Sequence, residues 1–266
     1  MASCSRDAAY SQGATHRMTI KAAVHKSLRL FGLDVVHFPP RERESPPDIC
    51  KQDAEIIQAV RPWTMTSAER VYALIQAVRY LSANSMAGAI VECGVWRGGS
   101  MAAVARTLLE MKDLSRDLYL FDTFEGMSEP TENDLDYTGR RASDVLLDDS
   151  GYRCADAPLE RVKNVLYETG YPKEKIYFVQ GKVEDTIPGF APDTISLLRL
   201  DTDWYASTKH ELVHLFPRLS KSGVIIIDDY GHWRGSRQAC DEYFAEHNVR
   251  ILLNRIDYTG RIALKP

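Results

Sequence analysis

Five short, almost wholly apolar runs, each followed by a stretch with helical character, constrain what this chain can fold into. The runs are AIVEC (89–93), DLYLF (117–121), KIYFV (175–179), TISLLRL (194–200) and GVIII (223–227). Strands that are apolar along their whole length are typical of parallel strands covered by helices on both faces. The sequence therefore predicts an α/β fold with a doubly wound, mostly parallel, seven-stranded sheet.

The end of the chain departs from this pattern. NVRILLNRI (248–256) and GRIALK (260–265) are separated only by the three residues DYT. Two β-type runs with so short a connection predict an antiparallel hairpin that closes the sheet.

One helix is predicted ahead of the first strand. Thr66 and Glu69 have the spacing of a capping box, and the apolar residues after them recur on one helical face. We expect this helix over about 67–82.

The first fifty residues differ from the rest of the chain. Residues 1–16 have the composition of a disordered segment, 19–31 suit a short amphipathic helix, and 37–48 contain four prolines. The sequence predicts an N-terminal extension over 1–50 and a single domain over 51–266. The helix at 19–31 could pack on a partner subunit, which makes a homo-oligomer plausible.

Composition excludes several classes of partner. The net charge is −4, with no block of basic residues, so neither nucleic acid nor an acidic membrane surface is expected. No apolar run reaches the roughly 18 residues of a membrane span, and the start of the chain lacks a secretory signal, which predicts a cytoplasmic location. The five cysteines contain no C-x-x-C pair, which disfavours disulfides and zinc. We expect a small-molecule partner.

Acidic residues follow four of the five predicted parallel strands. They are Glu92, Asp122, Asp201 and the adjacent pair Asp228 and Asp229. Ligands of open α/β sheets bind outside the carboxyl ends of the strands, and burying a carboxylate there is costly unless it is paired. The acids therefore indicate a ligand site, although each alone could solvate a loop or cap a helix.

The turn after the first strand, VECGVWRGGS, is rich in glycine. Its G-x-x-x-G-G spacing differs from the G-x-G-x-x-G of dinucleotide sites, which disfavours NAD. Glu92, just before the first glycine, suits a ligand with an ammonium group such as S-adenosylmethionine, which it could contact directly or through water. The candidate donor-binding residues in this turn are Glu92, Cys93, Gly94, Val95, Gly98, Gly99 and Ser100.

The next two strand ends suit the adenosine part of the same ligand. Asp122, at the end of the second strand, can accept hydrogen bonds from both ribose hydroxyls. Thr123 adjoins it, and Phe124 could lie beside the purine ring or in the core. Gly181, Lys182 and Val183 follow the third strand and would edge the adenine.

The last two parallel strands should be neighbours, about 5 Å apart, because a right-handed crossover helix joins them. Asp201 on one tip would then lie close to Asp228 and Asp229 on the other. Three carboxylates in so small a volume require a cation, and oxygen ligands suit Mg²⁺. Asp203 is an alternative to Asp201, but we expect it to act as an acid at a helix N-terminus.

Five motifs in this order resemble the macrocin O-methyltransferase (TylF-type) family of class I S-adenosylmethionine-dependent methyltransferases. They are RPWTMTSAERVYAL, VECGVWRGGS, LFDTFEGM, LRLDTDWYAST and IIIDDYGHW, within about 60–266. The resemblance implies methylation of sugar hydroxyls in antibiotics, and Asp201, Asp228 and Asp229 as the metal ligands. It also implies that Met65, Thr66 and Ser67 approach the methionine end of the donor.

A sugar hydroxyl, with a pKa of about 15.7, is a weak nucleophile until a metal lowers that value. Asp201, touching the metal, could then take the proton. His232, four residues beyond Asp228, is the alternative base, although a loop histidine can equally be a surface residue.

A long connection, about 125–158, follows the second strand and predicts a lid over the site. Its candidate acceptor contacts are Tyr137, Arg140, Arg141 and Tyr152. A solvated acidic loop without ligand contacts is the alternative.

The leading hypothesis is thus an Mg²⁺-dependent O-methyltransferase that acts on a sugar hydroxyl of a glycosylated natural product. A metal-independent methyltransferase, an NAD-dependent oxidoreductase and a non-catalytic binding protein are the alternatives.

Overall fold

The computed structural model describes Leu28, Pro46, residues 48–148 and residues 157–266. The disordered segment predicted at 1–16, nearly all of the helix and the connector predicted after it, and the lid residue Tyr152 lie outside the described residues. No helix of the described part of the chain is long and apolar enough to cross a bilayer.

The described residues form one seven-stranded sheet in the order β3-β2-β1-β4-β5-β7-β6. The strands β1 to β5 pair in parallel, β7 is antiparallel to β5, and β6 is antiparallel to β7. The predicted fold class is therefore confirmed. The strands are β1 (Ala89–Cys93), β2 (Leu118–Asp122), β3 (Ile176–Gln180), β4 (Ile195–Leu200), β5 (Leu219–Ile227), β6 (Asn254–Arg255) and β7 (Arg261–Leu264).

Helices cover both faces of this sheet. One core packs alternate strand residues such as Ile90 and Leu197 under α1, α2, α3 and α5. The other packs their neighbours, such as Val91 and Leu198, under α6, α7 and α8. This double coverage explains why the strands are apolar at every position. The helices are α1 (Lys51–Val60), α2 (Ala68–Ala83), α3 (Gly99–Glu110), α4 (Ala142–Asp148), α5 (Leu159–Tyr167), α6 (Val183–Thr186), α7 (Tyr205–Leu215) and α8 (Arg234–Glu246).

The terminal hairpin is shorter than the sequence predicts. Of the run 248–256, only Asn254 and Arg255 pair with β7. β6 lies at the edge of the sheet, so it has a strand to pair with on one side only.

The helix predicted at 67–82 is present as α2, but its predicted cap is wrong. Ser67, not Thr66, is the N-cap residue, and its hydroxyl oxygen accepts the backbone N–H of Arg70 at 3.2 Å. The Thr66 hydroxyl instead accepts a hydrogen bond from Arg199 at 3.1 Å. The Thr66 side chain, which the local pattern predicted as the cap, is therefore used in a tertiary contact with Arg199.

Gly94 allows the ends of β1 and β4 to approach each other. Its φ is +81°, in the left-handed region that favours glycine, and a Cβ atom there would collide with the carbonyl oxygen of Asp201. The backbone N–H of Asp201 donates to the carbonyl oxygen of Cys93 at 2.8 Å. The glycine thus fixes where Asp201 leaves the sheet.

Replacing Gly94 with alanine should lower the free energy of unfolding by about 3 kcal/mol or more, because left-handed strain and a backbone collision add together. Gly170→Ala is the matched control, since Gly170 has a φ of +85° and nothing within 4 Å of the added Cβ. It should cost about 1–2 kcal/mol of strain alone. Urea denaturation measures both, and equal losses would mean that the close approach is unimportant.

Candidate active site

A cavity opens at the carboxyl edge of the sheet, where the ends of β1, β2, β4 and β5 meet the segment before α2. Many of the predicted site residues line it, which brings residues more than 160 positions apart into one space. The predicted residues that line it are Met65, Thr66, Gly94, Val95, Ser100, Asp122, Thr123, Gly181, Lys182, Val183, Asp201, Asp228 and Asp229.

Other predicted donor-binding residues lie behind the cavity wall. Cys93 is fully buried in the core. Phe124 is also buried and packs beside Phe178, so it has the core position that was one of its two expected roles. Gly98 is the N-cap of α3, and a Cβ atom on Gly99 would lie 2.5 Å from the carbonyl oxygen of Trp63. These residues shape the loop from outside the cavity.

Ser67 is also turned away from the cavity. Its hydroxyl donates to Asp257 at 2.6 Å while it caps α2. Asp257 in turn accepts a hydrogen bond from Arg70 at 3.0 Å. Ser67 therefore joins the start of α2 to the turn between β6 and β7.

Beneath the cavity, Arg199 connects the acidic strand ends. Its guanidinium group, which is 3% exposed, lies 2.6 Å from Glu92, 2.7 Å from Asp201 and 2.6 Å from Asp228. It also donates to Thr66. Burial alone would lower the pKa of Arg199, but the three carboxylates raise it well above its usual value. This arginine is therefore a permanent cation inside the acidic cluster.

Glu92 occupies a different place from the one expected of an ammonium ligand. It is fully buried, and it is not among the residues that line the cavity. One carboxylate oxygen binds Arg199, while the other has no hydrogen-bond partner among the described residues. Burial raises the pKa of Glu92 to about 7, against the opposing effect of Arg199. Glu92 therefore acts through Arg199, which it binds beneath the cavity.

The three predicted metal ligands do come together. One oxygen from each of Asp201, Asp228 and Asp229 lies within 4.8 Å of the others. Burial raises the pKa of Asp201 well above its ordinary value, the neighbouring carboxylates add to this, and Arg199 opposes it. Asp228 is paired with Arg70 as well as Arg199. The cluster is thus partly neutralised by the chain itself.

Asp203 does not cap α7, although a role at a helix N-terminus was expected. Its backbone N–H donates to Asp229 at 3.2 Å, and its φ is +66°. Burial, together with the nearby charge of Asp201, raises the pKa of Asp203 to about 7. Asp203 therefore belongs to the acidic cluster.

Asp122 fastens the glycine-rich turn to β2. One of its oxygens accepts the backbone N–H groups of Val95 at 2.6 Å and Trp96 at 3.1 Å, and the other accepts that of Phe124 at 2.7 Å. Because Asp122 also lines the cavity, a single carboxylate both shapes the loop and faces the cavity.

The connection after β2 is folded back on the domain in its described part. The carboxylate of the fully buried Asp134 accepts the backbone N–H groups of Thr131 and Tyr205, at 2.7 and 2.8 Å. Bridges join Leu135 to Arg141 and Asp136 to Trp233. The segment is thereby held against the starts of α7 and α8.

Three of the four predicted lid contacts lie outside the cavity, and the fourth, Tyr152, is not among the described residues. Tyr137, Arg140 and Arg141 are exposed and do not line it. His232 does not line it either, and its Nδ1 lies 2.6 Å from the hydroxyl of Tyr258. Burial lowers the pKa of His232, so its ring is mainly neutral at pH 7.

Sequence reasoning missed the two arginines. A signal existed for Arg199, because an arginine inside the otherwise apolar run TISLLRL is expected to have buried acidic partners. No local signal marks Arg70, which lies on an amphipathic helix. Trp204, which lines the cavity and donates to the carbonyl oxygen of Ser128 at 3.0 Å, was also missed.

Comparisons with known proteins agree on one family. The sequence model of the macrocin-O-methyltransferase (TylF) family matches residues 10–264. The chain is 34% identical over 201 residues to the 8-demethyl-8-(2,3-dimethoxy-alpha-L-rhamnosyl)-tetracenomycin-C 4'-O-methyltransferase of Streptomyces olivaceus, covering 74% of this chain and 73% of that protein. It is 31% identical over 198 residues to the demethyldecarbamoylnovobiocin O-methyltransferase of Streptomyces niveus, with the same shares covered.

A solved structure supports the same relationship. The O-methyltransferase NovP is similar with a TM-score of 0.68 and 30% sequence identity, over 76% of this chain and 82% of that one.

Replacing Arg199 with methionine should lower the free energy of unfolding at pH 8 by about 3–5 kcal/mol, because it leaves buried carboxylates without a counter-charge. The loss should shrink at pH 5, where those carboxyl groups take up protons. Urea denaturation at the two pH values measures the effect.

Lys163→Met is the control, because Lys163 pairs with the exposed Glu160 on the surface of α5. Its effect should be far smaller and nearly independent of pH. Equal effects of the two substitutions would contradict the role assigned to Arg199.

Proposed function

Since the chain belongs to the macrocin O-methyltransferase family, we propose that this S-adenosylmethionine-dependent O-methyltransferase acts on a sugar hydroxyl of a glycosylated natural product. The rhamnosyl group in the name of the first relative described above supports this acceptor class, and the second relative is named for demethyldecarbamoylnovobiocin. The observation that carries the proposal is the placing of the glycine-rich turn and the cluster of Asp201, Asp228 and Asp229 in one cavity.

We assign the donor to the side of the cavity formed by the ends of β1, β2 and β3. Asp122 is assigned to the ribose hydroxyls, and the segment 181–183 to the adenine edge. Met65 and Thr66 are assigned to the methionine end, because they line the cavity near Arg70 and the acidic cluster. A carboxylate suits the vicinal hydroxyl groups of a ribose.

We assign Mg²⁺ to the acidic cluster. Three carboxylates within 4.8 Å are the hard oxygen ligands that this ion prefers. The charge balance supports a further cation. Arg70 and Arg199 pair with Glu92, Asp201 and Asp228, and Asp203 and Asp229 add two more carboxyl groups to the cluster, which makes two positive groups against five acidic ones. When bound, the ion would lower the pKa of the acceptor hydroxyl.

Asp201 is the proposed base. Its side chain is 26% exposed and lines the cavity, so its carboxylate can reach an acceptor hydroxyl held there. As Asp201 takes the hydroxyl proton, the sugar oxygen forms a bond to the methyl carbon while the bond from that carbon to sulfur breaks. The products are the methyl ether and S-adenosylhomocysteine. His232 remains the alternative base, although its ring nitrogen is engaged with Tyr258.

Metal-independent methyl transfer is the second candidate function. The observation in its favour is that Asp228 already has two guanidinium partners, so part of the cluster needs no ion. The two candidates differ in their response to removal of divalent ions.

A labelled-methyl assay over a panel of glycosylated metabolites should give acid-stable product with Mg²⁺, and at least about 100-fold less with excess chelator, because a Lewis acid supplies several kcal/mol to the transition state. Restoring Mg²⁺ should restore turnover. Full turnover in chelator would support the metal-independent reaction, and no transfer to any glycoside would contradict the acceptor class.

Metal binding can also be followed without turnover. Mn²⁺ accepts the same oxygen ligands, and its electron paramagnetic resonance signal falls on binding. Asp229→Asn should weaken this binding, whereas Asp193→Asn, on an exposed loop, should not.

Asp201→Asn should reduce kcat by about 10²–10⁴-fold, because the amide cannot take the hydroxyl proton. S-adenosylhomocysteine should still bind with nearly unchanged affinity by calorimetry. Asp193→Asn serves again as the control. Retained turnover in Asp201→Asn, together with its loss in His232→Ala, would transfer the role of base to His232.

A further inference from the structure

An aromatic surface lies next to the cavity but is not part of its lining. It consists of Tyr137, His232 and Tyr258, and we call these three residues the aromatic surface. Ring centroids lie 5.7 Å apart for Tyr137 and His232, 5.6 Å for Tyr137 and Tyr258, and 5.8 Å for His232 and Tyr258. Tyr137 is 55% exposed and Tyr258 is 51% exposed. Single exposed aromatic residues are common, but three in mutual contact are a candidate binding surface.

The aromatic surface is held in place by contacts from behind. His232 Nδ1 and the Tyr258 hydroxyl are 2.6 Å apart. Arg234 donates to the carbonyl oxygen of Tyr137 at 3.0 Å, and the ring of Trp233 lies edge-on against His232 at 4.7 Å. Three segments far apart in the sequence thus present rings in a fixed arrangement, which reduces the entropy lost on binding.

The aromatic surface adjoins the acidic end of the cavity. The backbone N–H of His232 donates to the carbonyl oxygen of Asp229 at 2.9 Å. On the other side, Thr259, which follows Tyr258, donates to the carbonyl oxygen of Asp228 at 2.7 Å. The ring of Trp233 lies 5.1 Å from that of Trp204, which lines the cavity.

We propose that the aromatic surface binds the apolar ring system to which the acceptor sugar is attached. This inference rests on the proposed function, which puts the reacting hydroxyl at Asp201. The polar cluster suits the hydroxyl groups of the sugar, whereas exposed tyrosine rings suit a flat or apolar partner that remains partly in water. The rings lie outside the cavity and beside its acidic end. The part of an acceptor that is remote from the reacting hydroxyl would lie in this position.

The consequence is a preference between acceptors that share one sugar. Interactions with a remote part of a substrate can hold its reacting atom in position. A glycoside with an aromatic group at its anomeric centre should therefore bind more tightly than one with a methyl group there. Substitutions that remove the rings of the aromatic surface should abolish this preference for the aromatic glycoside.

A suitable probe pair is 4-methylumbelliferyl α-L-rhamnopyranoside and methyl α-L-rhamnopyranoside, with binding measured by ligand-observed NMR on the full chain saturated with S-adenosylhomocysteine and Mg²⁺. The wild-type chain should bind the aromatic glycoside about tenfold more tightly, the upper part of the range for aromatic contacts. The double variant Tyr137→Ala, Tyr258→Ala should bind the two glycosides within twofold of each other. Its affinity for S-adenosylhomocysteine should be unchanged.

Two further variants make the test specific. Tyr177→Ala removes a tyrosine that is 40% exposed on β3 and stacks on Tyr119, so it should keep the preference. Tyr258→Phe keeps the ring and loses the hydrogen bond to His232, so it should keep most of the preference.

The inference is overturned if the wild-type chain shows no preference or does not bind the aromatic glycoside, or if the double variant keeps the preference. Any of these three results, with normal binding of S-adenosylhomocysteine, leaves the proposed function intact. Failure to bind S-adenosylhomocysteine would instead contradict the proposed function itself.

Discussion

The site depends on the ion pairs that the buried guanidinium group of Arg199 forms with the acidic residues around it. Arg199 lies on β4, between β1 and β5, and the strand register places it directly beside Glu92. Removing such charges from water costs several kcal/mol each, which is recovered only if every partner is in position. Because the partners come from three strands, a shift of one residue in any register would remove the pairing. The arrangement of the sheet and the chemistry of the cavity are thus linked through one side chain.

The acidic residues around Arg199 fall into two groups, those buried away from the cavity and those that line it. Glu92 lies below and is committed to Arg199, whereas Asp201, Asp228 and Asp229 reach the cavity. Asp122 combines the two kinds of role, since it holds the glycine-rich turn and faces the ligand space. The proposed function requires this cavity to accept a sulfonium donor, a neutral sugar and a divalent ion, and carboxylates whose positions are fixed before any ligand arrives suit that requirement.

The proposed acceptor side is built differently from the proposed donor side. The donor side uses the ends of parallel strands, which the sheet fixes directly. The acceptor side combines the connection after β2, the start of α8 and the turn between β6 and β7, joined by the Asp136–Trp233 bridge and the contact between His232 and Tyr258. Such loops can vary without disturbing the sheet, which fits the different acceptors for which the two relatives are named.

The sequence by itself determined the order and type of most strands, the acidic residues at their ends, the glycine-rich turn and the family. These features are local, because apolar runs, glycine spacing and residue types at strand ends can be read without knowing what lies opposite. Local patterns predicted Thr66 as the cap of α2 and a ligand contact for Glu92. Both residues instead bind Arg199, a tertiary contact that local patterns do not contain.

Only the tertiary structure decided which acids face the cavity, which are neutralised by Arg70 and Arg199, and that Tyr137, His232 and Tyr258 form one surface. Those outcomes depend on strand register and helix placement, which bring together groups more than 100 residues apart. The energy of a buried charge depends on its neighbours in space, and these are fixed only when the whole sheet has formed.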